Sequence, residues 1–155
     1  MLQNLVGKIW RKLPQSARFH IIRRTQKKFT VSVGVVIFDE CERVLLLDHV
    51  LRPKSGWGIP GGFINKNEQP EQAVHREIRE ETGLELKNVK LWRIETKKLH
   101  VEMIFFAEGY GKAEVKSREI KEAKWFESNN LPKDLPNVQK HIINEILKFT
   151  GRLER

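Results

Sequence analysis

The strongest constraint on the fold is a well-marked helix at the centre of the chain, with strand-like runs on both sides of it. The run TVSVGVVIF at 30–38 is rich in β-branched residues, and RVLLLDHV at 43–50 returns after a short turn, which predicts a β-hairpin. The central helix is indicated by Pro70 in its first turn, by Val74 and Ile78 as a core stripe, and by Gly83 as a left-handed C-terminal cap.

The second half of the chain continues this alternation. LKNVKLWRIETKK and LHVEMIFFAEGY predict two strands over 86–110, and KWFE at 124–127 predicts a short strand after a charged loop. RPKSGWGIPGG at 52–62 reads as a loop because of its glycines and prolines. An amphipathic helix closes the chain, with an apolar stripe predicted at Val138, Ile142, Ile146 and Phe149. Strands with an interposed and a terminal helix predict an α/β chain in which helices cover a mixed sheet.

Composition narrows the class of protein. A chain of 155 residues, 39% hydrophobic and 32% charged, is expected to be soluble and to bury a core. Its longest apolar run, VGVVIF at 33–38, is far too short to span a bilayer. Basic residues interrupt the N-terminal run MLQNLVGKIWRKL, so no secretory signal is expected. The single cysteine, Cys41, fits a reducing compartment, which predicts a cytoplasmic protein.

Three glutamates, Glu77, Glu80 and Glu81, fall on one face of the central helix, because each helical residue advances by about 100°. Like charges at these spacings repel by roughly 0.3 kcal/mol per pair. One interpretation is a solvated face that Arg76 and Arg79 screen. The other is a site for divalent cations, which would relieve the repulsion.

An extended pattern surrounds these glutamates. From Gly62 to Leu84 the chain fills every fixed position of G-x5-E-x7-R-E-U-x-E-E-x-G-U, in which U is aliphatic. This resembles the signature of the Nudix hydrolases, a MutT-like family that cleaves nucleoside diphosphates linked to another group. The order of the strands extends the resemblance over roughly residues 30–135. It implies the Nudix fold, a mixed β-sheet sandwiched between α-helices, at 29–155. Residues 1–28 lie outside the resemblance, and their pattern predicts a basic amphipathic helical extension.

The resemblance also implies metal-assisted hydrolysis. Mg²⁺, with Mn²⁺ as a substitute, would neutralise phosphoryl oxygens and lower the pKa of a bound water. The implied ligands are the carboxylates of Glu77, Glu80 and Glu81 and the backbone carbonyl of Gly61. Arg76 would orient a glutamate by a charge-assisted hydrogen bond, and Glu68 would stabilise the start of the helix.

The general base stays open, because members of the family differ in it. Some use a glutamate of the signature, which here means Glu77 or Glu81. Others use a glutamate on the loop before the late Trp-containing strand, for which Glu119 is the first candidate and Glu122 the second. The alternative for Glu119 is that it is one more charge in a solvated loop.

Contacts to the rest of the substrate are predicted only in outline. Arg52 and Lys54 lie on the loop that enters the site and would contact phosphate, or else they are solvated. Trp57 would stack on a base, although packing is the favoured interpretation. His100 and Glu102 share one face of a strand, which lines the cleft or lies at an edge. Trp92, Phe105 and Phe106 are expected in the core.

The expected activity is cleavage of a phosphoanhydride bond in a nucleoside triphosphate, nucleotide sugar, ADP-ribose or similar compound. The alternatives are a catalytically silent Nudix-fold module that binds nucleotide or RNA, and an RNA 5′-end pyrophosphohydrolase.

The N-terminal segment is unusual in its charge. The chain carries a net charge of +9, and no acidic residue precedes Asp39. Three interpretations stay open: a helical extension packed on the domain or on a dimer partner, a segment that steers RNA or another anion, and a segment that lies on an anionic membrane with Trp10 inserted. The family also suggests a homodimer.

Overall fold

The N-terminal unit is helical. The computed structural model describes residues 2–52 and 56–152, and the chain divides into two compact units, Met1–Thr30 and Val31–Arg155. The first unit contains α1 (Leu2–Lys12) and α2 (Gln15–Thr25). Pro14 lies between them in an extended conformation, because proline cannot continue a helix. No helix in the described ranges is long and apolar enough to cross a bilayer.

A seven-stranded sheet organises the rest of the chain. Its elements are β1 (Thr30–Phe38), β2 (Val44–His49), β3 (Trp57–Gly58), β4 (Gly61–Phe63), α3 (Pro70–Thr82), β5 (Glu85–Lys97), β6 (His100–Tyr110), β7 (Ile120–Phe126) and α4 (Asn137–Phe149). The strand order is β3-β2-β1-β6-β5, with β4 also paired to β1 and β7 to β2. β1 and β2 form the predicted antiparallel hairpin, and β5 and β6 form a second, longer one.

Two hydrophobic clusters lie on the two faces of this sheet. Because side chains alternate along a strand, Val35 and Ile37 of β1 belong to one cluster and Val36 and Phe38 to the other. α3 contributes to the first cluster and α4 to the second. The predicted architecture, a mixed sheet between helices, is therefore confirmed. Phe105 and Phe106 are buried in these clusters, and Trp92 packs against the second, as predicted.

The stripe predicted for α4 is half wrong. Its buried residues are Ile142, Ile143, Ile146 and Leu147, whereas Val138 and Phe149 are 60% and 68% exposed. Two pairs of neighbouring residues, Ile142 with Ile143 and Ile146 with Leu147, form a wider apolar stripe than the single row that the sequence predicts. This wider stripe covers the sheet.

Two segments read as loops contain strands. Within 52–62, β3 pairs with β2 and the first residues of β4 pair with β1. β7 begins at Ile120, four residues before the predicted start of its strand. Glycine and charged residues have low intrinsic β-propensity, so pairing with a neighbouring strand decides the conformation here.

Candidate active site

Capping residues at both ends of α3 determine where this helix begins and ends. Pro70 occupies its first turn, and Gln69 and Gln72 form a reciprocal capping box. Asn67 adopts a positive φ of 65° in the preceding loop, and Gly83 caps the C-terminus with a φ of 72°. Ala73, Val74 and Ile78 are buried in the first core cluster, which fixes the orientation of the acidic face.

Arg76 connects the acidic residues of this region. Its Nε lies 2.7 Å from Glu68 Oε1, and its Nη1 lies 2.7 Å from Glu77 Oε1 and 3.3 Å from Glu80 Oε2. Its Nη2 donates to the carbonyl of Phe63. The hydrogen bond from Arg76, followed by one from the Asn65 backbone, holds the pKa of Glu68 below its ordinary value. One guanidinium thus ties α3 to the loop that precedes it.

Glu81 is the buried carboxylate of the site. It is only 8% exposed, and its Oε2 is buried without a hydrogen-bond partner among the described residues. Burial, and after it the negative charge of Glu77, raises the pKa of Glu81 to about 8. A hydrogen bond from the backbone N–H of Gly61 and the positive charge of Arg52 oppose this shift. A desolvated oxygen without a partner is costly unless a cation or a proton compensates it.

Two consecutive glycines allow the loop to approach β1 and α3. A Cβ at Gly61 would overlap the carbonyl oxygen of Val33, and a Cβ at Gly62 would overlap the carboxyl group of Glu77. Gly61 therefore requires glycine for steric reasons, because the overlap is with backbone, whereas at Gly62 the end of the Glu77 side chain would have to move. The result is that the Gly61 backbone and the Glu77 and Glu81 carboxylates meet at one place.

Glu80 and Glu77 differ in their surroundings. The side chain of Glu77 is 16% exposed, whereas that of Glu80 is 60% exposed. Across 2–52 and 56–152, no three acidic, histidine or cysteine side chains are already gathered as a metal-binding group. Arg76 is close to both carboxylates and compensates their charge, so a cation would compete with this arginine for them.

Comparison with known proteins identifies the family. The sequence model of the NUDIX domain matches residues 28–146. The chain belongs to the NUDIX family. The predicted resemblance is thereby confirmed, and the pattern from Gly62 to Leu84 is its Nudix box.

The curated relatives of this chain are named as hydrolases or pyrophosphatases. The chain is 31% identical over 105 residues to the NAD-capped RNA hydrolase NudC of Vibrio vulnificus, covering 66% of this chain and 40% of that protein. It is 36% identical over 104 residues to the ADP-ribose pyrophosphatase of Methanocaldococcus jannaschii, covering 63% of this chain and 62% of that one. The matched region thus spans between about two fifths and three fifths of the length of these relatives.

Solved structures agree on the fold. The MutT NUDIX hydrolase of Burkholderia pseudomallei superimposes with a TM-score of 0.68 at 26% identity, over 77% of this chain and 99% of that one. The NUDIX domain of Shewanella oneidensis NrtR, crystallised with ADP ribose, superimposes with a TM-score of 0.75 at 19% identity, over 89% of this chain and 99% of that one.

Arg52 interacts electrostatically with Glu81, the buried carboxylate of the box. Its Nη2 donates to the carbonyl of Ile59 at 3.2 Å, and a Cβ at Gly58 would overlap its guanidinium. Burial lowers the pKa of Arg52, while the charges of Glu81 and Glu102 act in the opposite direction. The sequence places Glu102 on a strand face that either lines the cleft or lies at an edge. In the structure, Glu102 is an electrostatic partner of this arginine.

The other residues predicted to contact substrate or to act as the base have different surroundings in the structure. Lys54 lies outside the described residues. Trp57 packs edge to face on Phe126, with ring centroids 5.0 Å apart, and contacts the second core cluster. Glu119 is close enough for its charge to raise the pKa of Glu81, and its carbonyl accepts the backbone N–H of Val50 at 2.8 Å.

Sequence reasoning missed His49, to which no role was assigned. It is the last residue of β2, and its Nε2 is buried without a partner among the described residues. Burial, and after it the charge of Arg52, lowers the pKa of His49 to about 4. No spacing in the sequence identifies it, because its proximity to Arg52 depends on how the loop after β2 folds back.

Proposed function

We propose that this Nudix protein is a divalent-metal-dependent hydrolase that cleaves a phosphoanhydride bond in a nucleoside diphosphate-linked substrate. The observation that supports this best is the buried Glu81 carboxylate, which has one oxygen without a partner and lies beside Gly61 and Glu77. A protein rarely maintains such an arrangement for stability alone, since the same position filled by an uncharged residue would cost less.

The donor set fits a hard cation. The residues that would hold Mg²⁺, or Mn²⁺ in its place, are Glu77, Glu80 and Glu81, with the Gly61 carbonyl. All are oxygen donors, as Mg²⁺ prefers. When bound, the cation would neutralise phosphoryl oxygens and lower the pKa of a coordinated water.

The chain's own residues would position the reaction. Arg76 would hold Glu77 and join it to Glu68, so that the carboxylate presents one oxygen in a defined direction. Arg52 would place a positive charge next to Glu81, where an anionic phosphate is expected to arrive. The water would lose its proton to a box glutamate, Glu77 or Glu81, or to Glu119.

The substrate is proposed only by class. Relatives are named as an NAD-capped RNA hydrolase, an RNA pyrophosphohydrolase and an ADP-ribose pyrophosphatase. Their substrates have in common a phosphoanhydride attached to a nucleoside. A panel of nucleoside triphosphate, nucleotide sugar, ADP-ribose, dinucleoside polyphosphate and 5′-triphosphorylated or NAD-capped RNA, scored for released phosphate or nucleoside monophosphate, would identify the class.

The mechanism is tested with Glu81→Gln. This substitution keeps the side-chain volume and removes the charge, so we expect hydrolysis of the best substrate in the panel to fall by about 100-fold or more. Glu71→Gln is the matched control, because Glu71 is exposed in the first turn of the same helix. Unchanged turnover in Glu81→Gln would refute the mechanism, and tight nucleotide binding without turnover in the wild type would favour a binding module.

A further inference from the structure

The excess positive charge of this protein is concentrated at its N-terminus. The first 38 residues carry eight basic side chains and no acidic one, whereas the whole chain has a net charge of +9. The remaining residues are therefore almost neutral, with 21 basic and 20 acidic side chains. A charge difference of this size between two parts of one chain indicates a specific anionic partner for the basic part.

Helix α1 separates apolar from basic side chains. At about 100° per residue, Val6 and Ile9 fall on one side, and Lys8 and Arg11 fall on the other. Val6 and Ile9 are 59% and 55% exposed, so this apolar side is largely accessible to solvent. A soluble helix normally buries such a stripe, and an uncovered one marks an interaction surface.

The segment after α1 continues the same combination. Every residue from 19 to 30 is exposed, and among them Phe19, Ile21, Ile22 and Phe29 are each at least 42% exposed. α2 contains no buried residue. Apolar side chains, two of them aromatic, are interspersed here with Arg23, Arg24, Lys27 and Lys28, without the separation into two sides that α1 shows.

We propose that residues 2–29 bind the surface of a bilayer that contains anionic lipid, with the exposed apolar side chains inserted at the level of the headgroups. The basic residues match the negative charge of the lipids, and the apolar ones match the acyl boundary. RNA would account for the charge alone, because phosphate contacts do not require a row of exposed valine, isoleucine and phenylalanine. The membrane accounts for both features.

Vesicle flotation of the full chain tests this proposal. We expect binding to vesicles of phosphatidylcholine and phosphatidylserine in equal parts, and none to phosphatidylcholine alone. Replacing Lys8, Arg11 and Lys12 together by Gln is expected to lower the partition coefficient by about 100-fold, since each charge near the surface contributes about a factor of five. The same change at the exposed lysines Lys97, Lys98 and Lys133 is the charge-matched control and should have little effect.

Insertion is tested without any change of charge. Val6→Asn, Ile9→Asn and Phe19→Asn combined should reduce vesicle binding by at least about tenfold. The helix propensities of these residue types are nearly equal, so the substitutions should not unfold the helices. Val138→Asn is the control, because Val138 is 60% exposed on α4, as Val6 is on α1. Quenching of the tryptophan fluorescence by brominated lipid should be weaker in Trp10→Phe than in the wild type.

Three results would overturn the proposal. One is the absence of binding to anionic vesicles at low salt. Another is undiminished binding by the triple Asn variant, which would mean simple electrostatic adsorption. The third is binding of an RNA oligonucleotide together with failure to float, which would assign the segment to RNA.

Discussion

Glu81→Gln is expected to stabilise the metal-free protein, and to do so more strongly as the pH rises. The pKa of Glu81 is raised from 4.5 to about 8 in the folded state. Between these two values the unfolded chain has lost the proton while the folded chain keeps it, so wild-type stability falls as the pH rises through this window. Above pH 8 both states are ionised, and the buried charge has its full cost.

The magnitude follows from the shift. Relative to an uncharged side chain, the carboxylate costs less than ~1 kcal/mol at pH 5 and roughly 4–5 kcal/mol at pH 9. The stability gained by Glu81→Gln should therefore be about 4 kcal/mol larger at pH 9 than at pH 5. The amide oxygen can still accept the Gly61 N–H, so that hydrogen bond is not lost.

The assay is urea denaturation of both proteins in EDTA, followed by tryptophan fluorescence from pH 5 to pH 9. Groups away from the site titrate equally in the two proteins, so the difference between the curves reports position 81 together with its electrostatic coupling to its charged neighbours, chiefly Glu77. Glu80→Gln is the control, since it removes a carboxylate from the same helical face at a side chain that is 60% exposed. Parallel profiles for wild type and Glu81→Gln would refute the assignment of a buried, proton-retaining carboxylate.

Three further predictions concern the same site. Saturating Mg²⁺ or Mn²⁺ should raise the melting temperature of the wild type more at pH 8 than at pH 6, because cation and proton compete, and a pH-independent shift would contradict this. Gly61→Ala should destabilise the protein by about 1–3 kcal/mol, as its methyl group meets the backbone carbonyl oxygen of Val33. Gly7→Ala, with no atom within 4 Å of the added group, should not destabilise the protein in the same melt. Arg76→Lys should lose about 1–3 kcal/mol and lower kcat, because lysine cannot reproduce the forked contacts. Arg79→Lys, at an exposed pair, should change stability much less in parallel denaturation, because solvent screens that pair. Equal losses in the two variants would remove the proposed role of Arg76.

Local signals were sufficient for much of the fold. The β1–β2 hairpin, the start of α3 at Pro70 and its cap at Gly83 were predicted because turn and cap residues act over a few positions. The α4 stripe was half wrong because the sequence pattern does not reveal how broad a helical face the sheet will cover. β3 and β4 were missed because their glycines have no strand preference of their own.

By itself the sequence determined the family, the acidic face of α3 and the uneven distribution of charge, because each of these depends only on residue type and spacing. Only the tertiary structure decided which carboxylate is buried. Glu77, Glu80 and Glu81 are the same residue type on one helical face, but core packing of α3 and the approach of the Gly61 loop leave Glu81 desolvated and Glu80 in water. The pKa of a carboxylate depends on this desolvation and on nearby charges, such as Arg52, which reaches the site through the fold and not through its position in the chain.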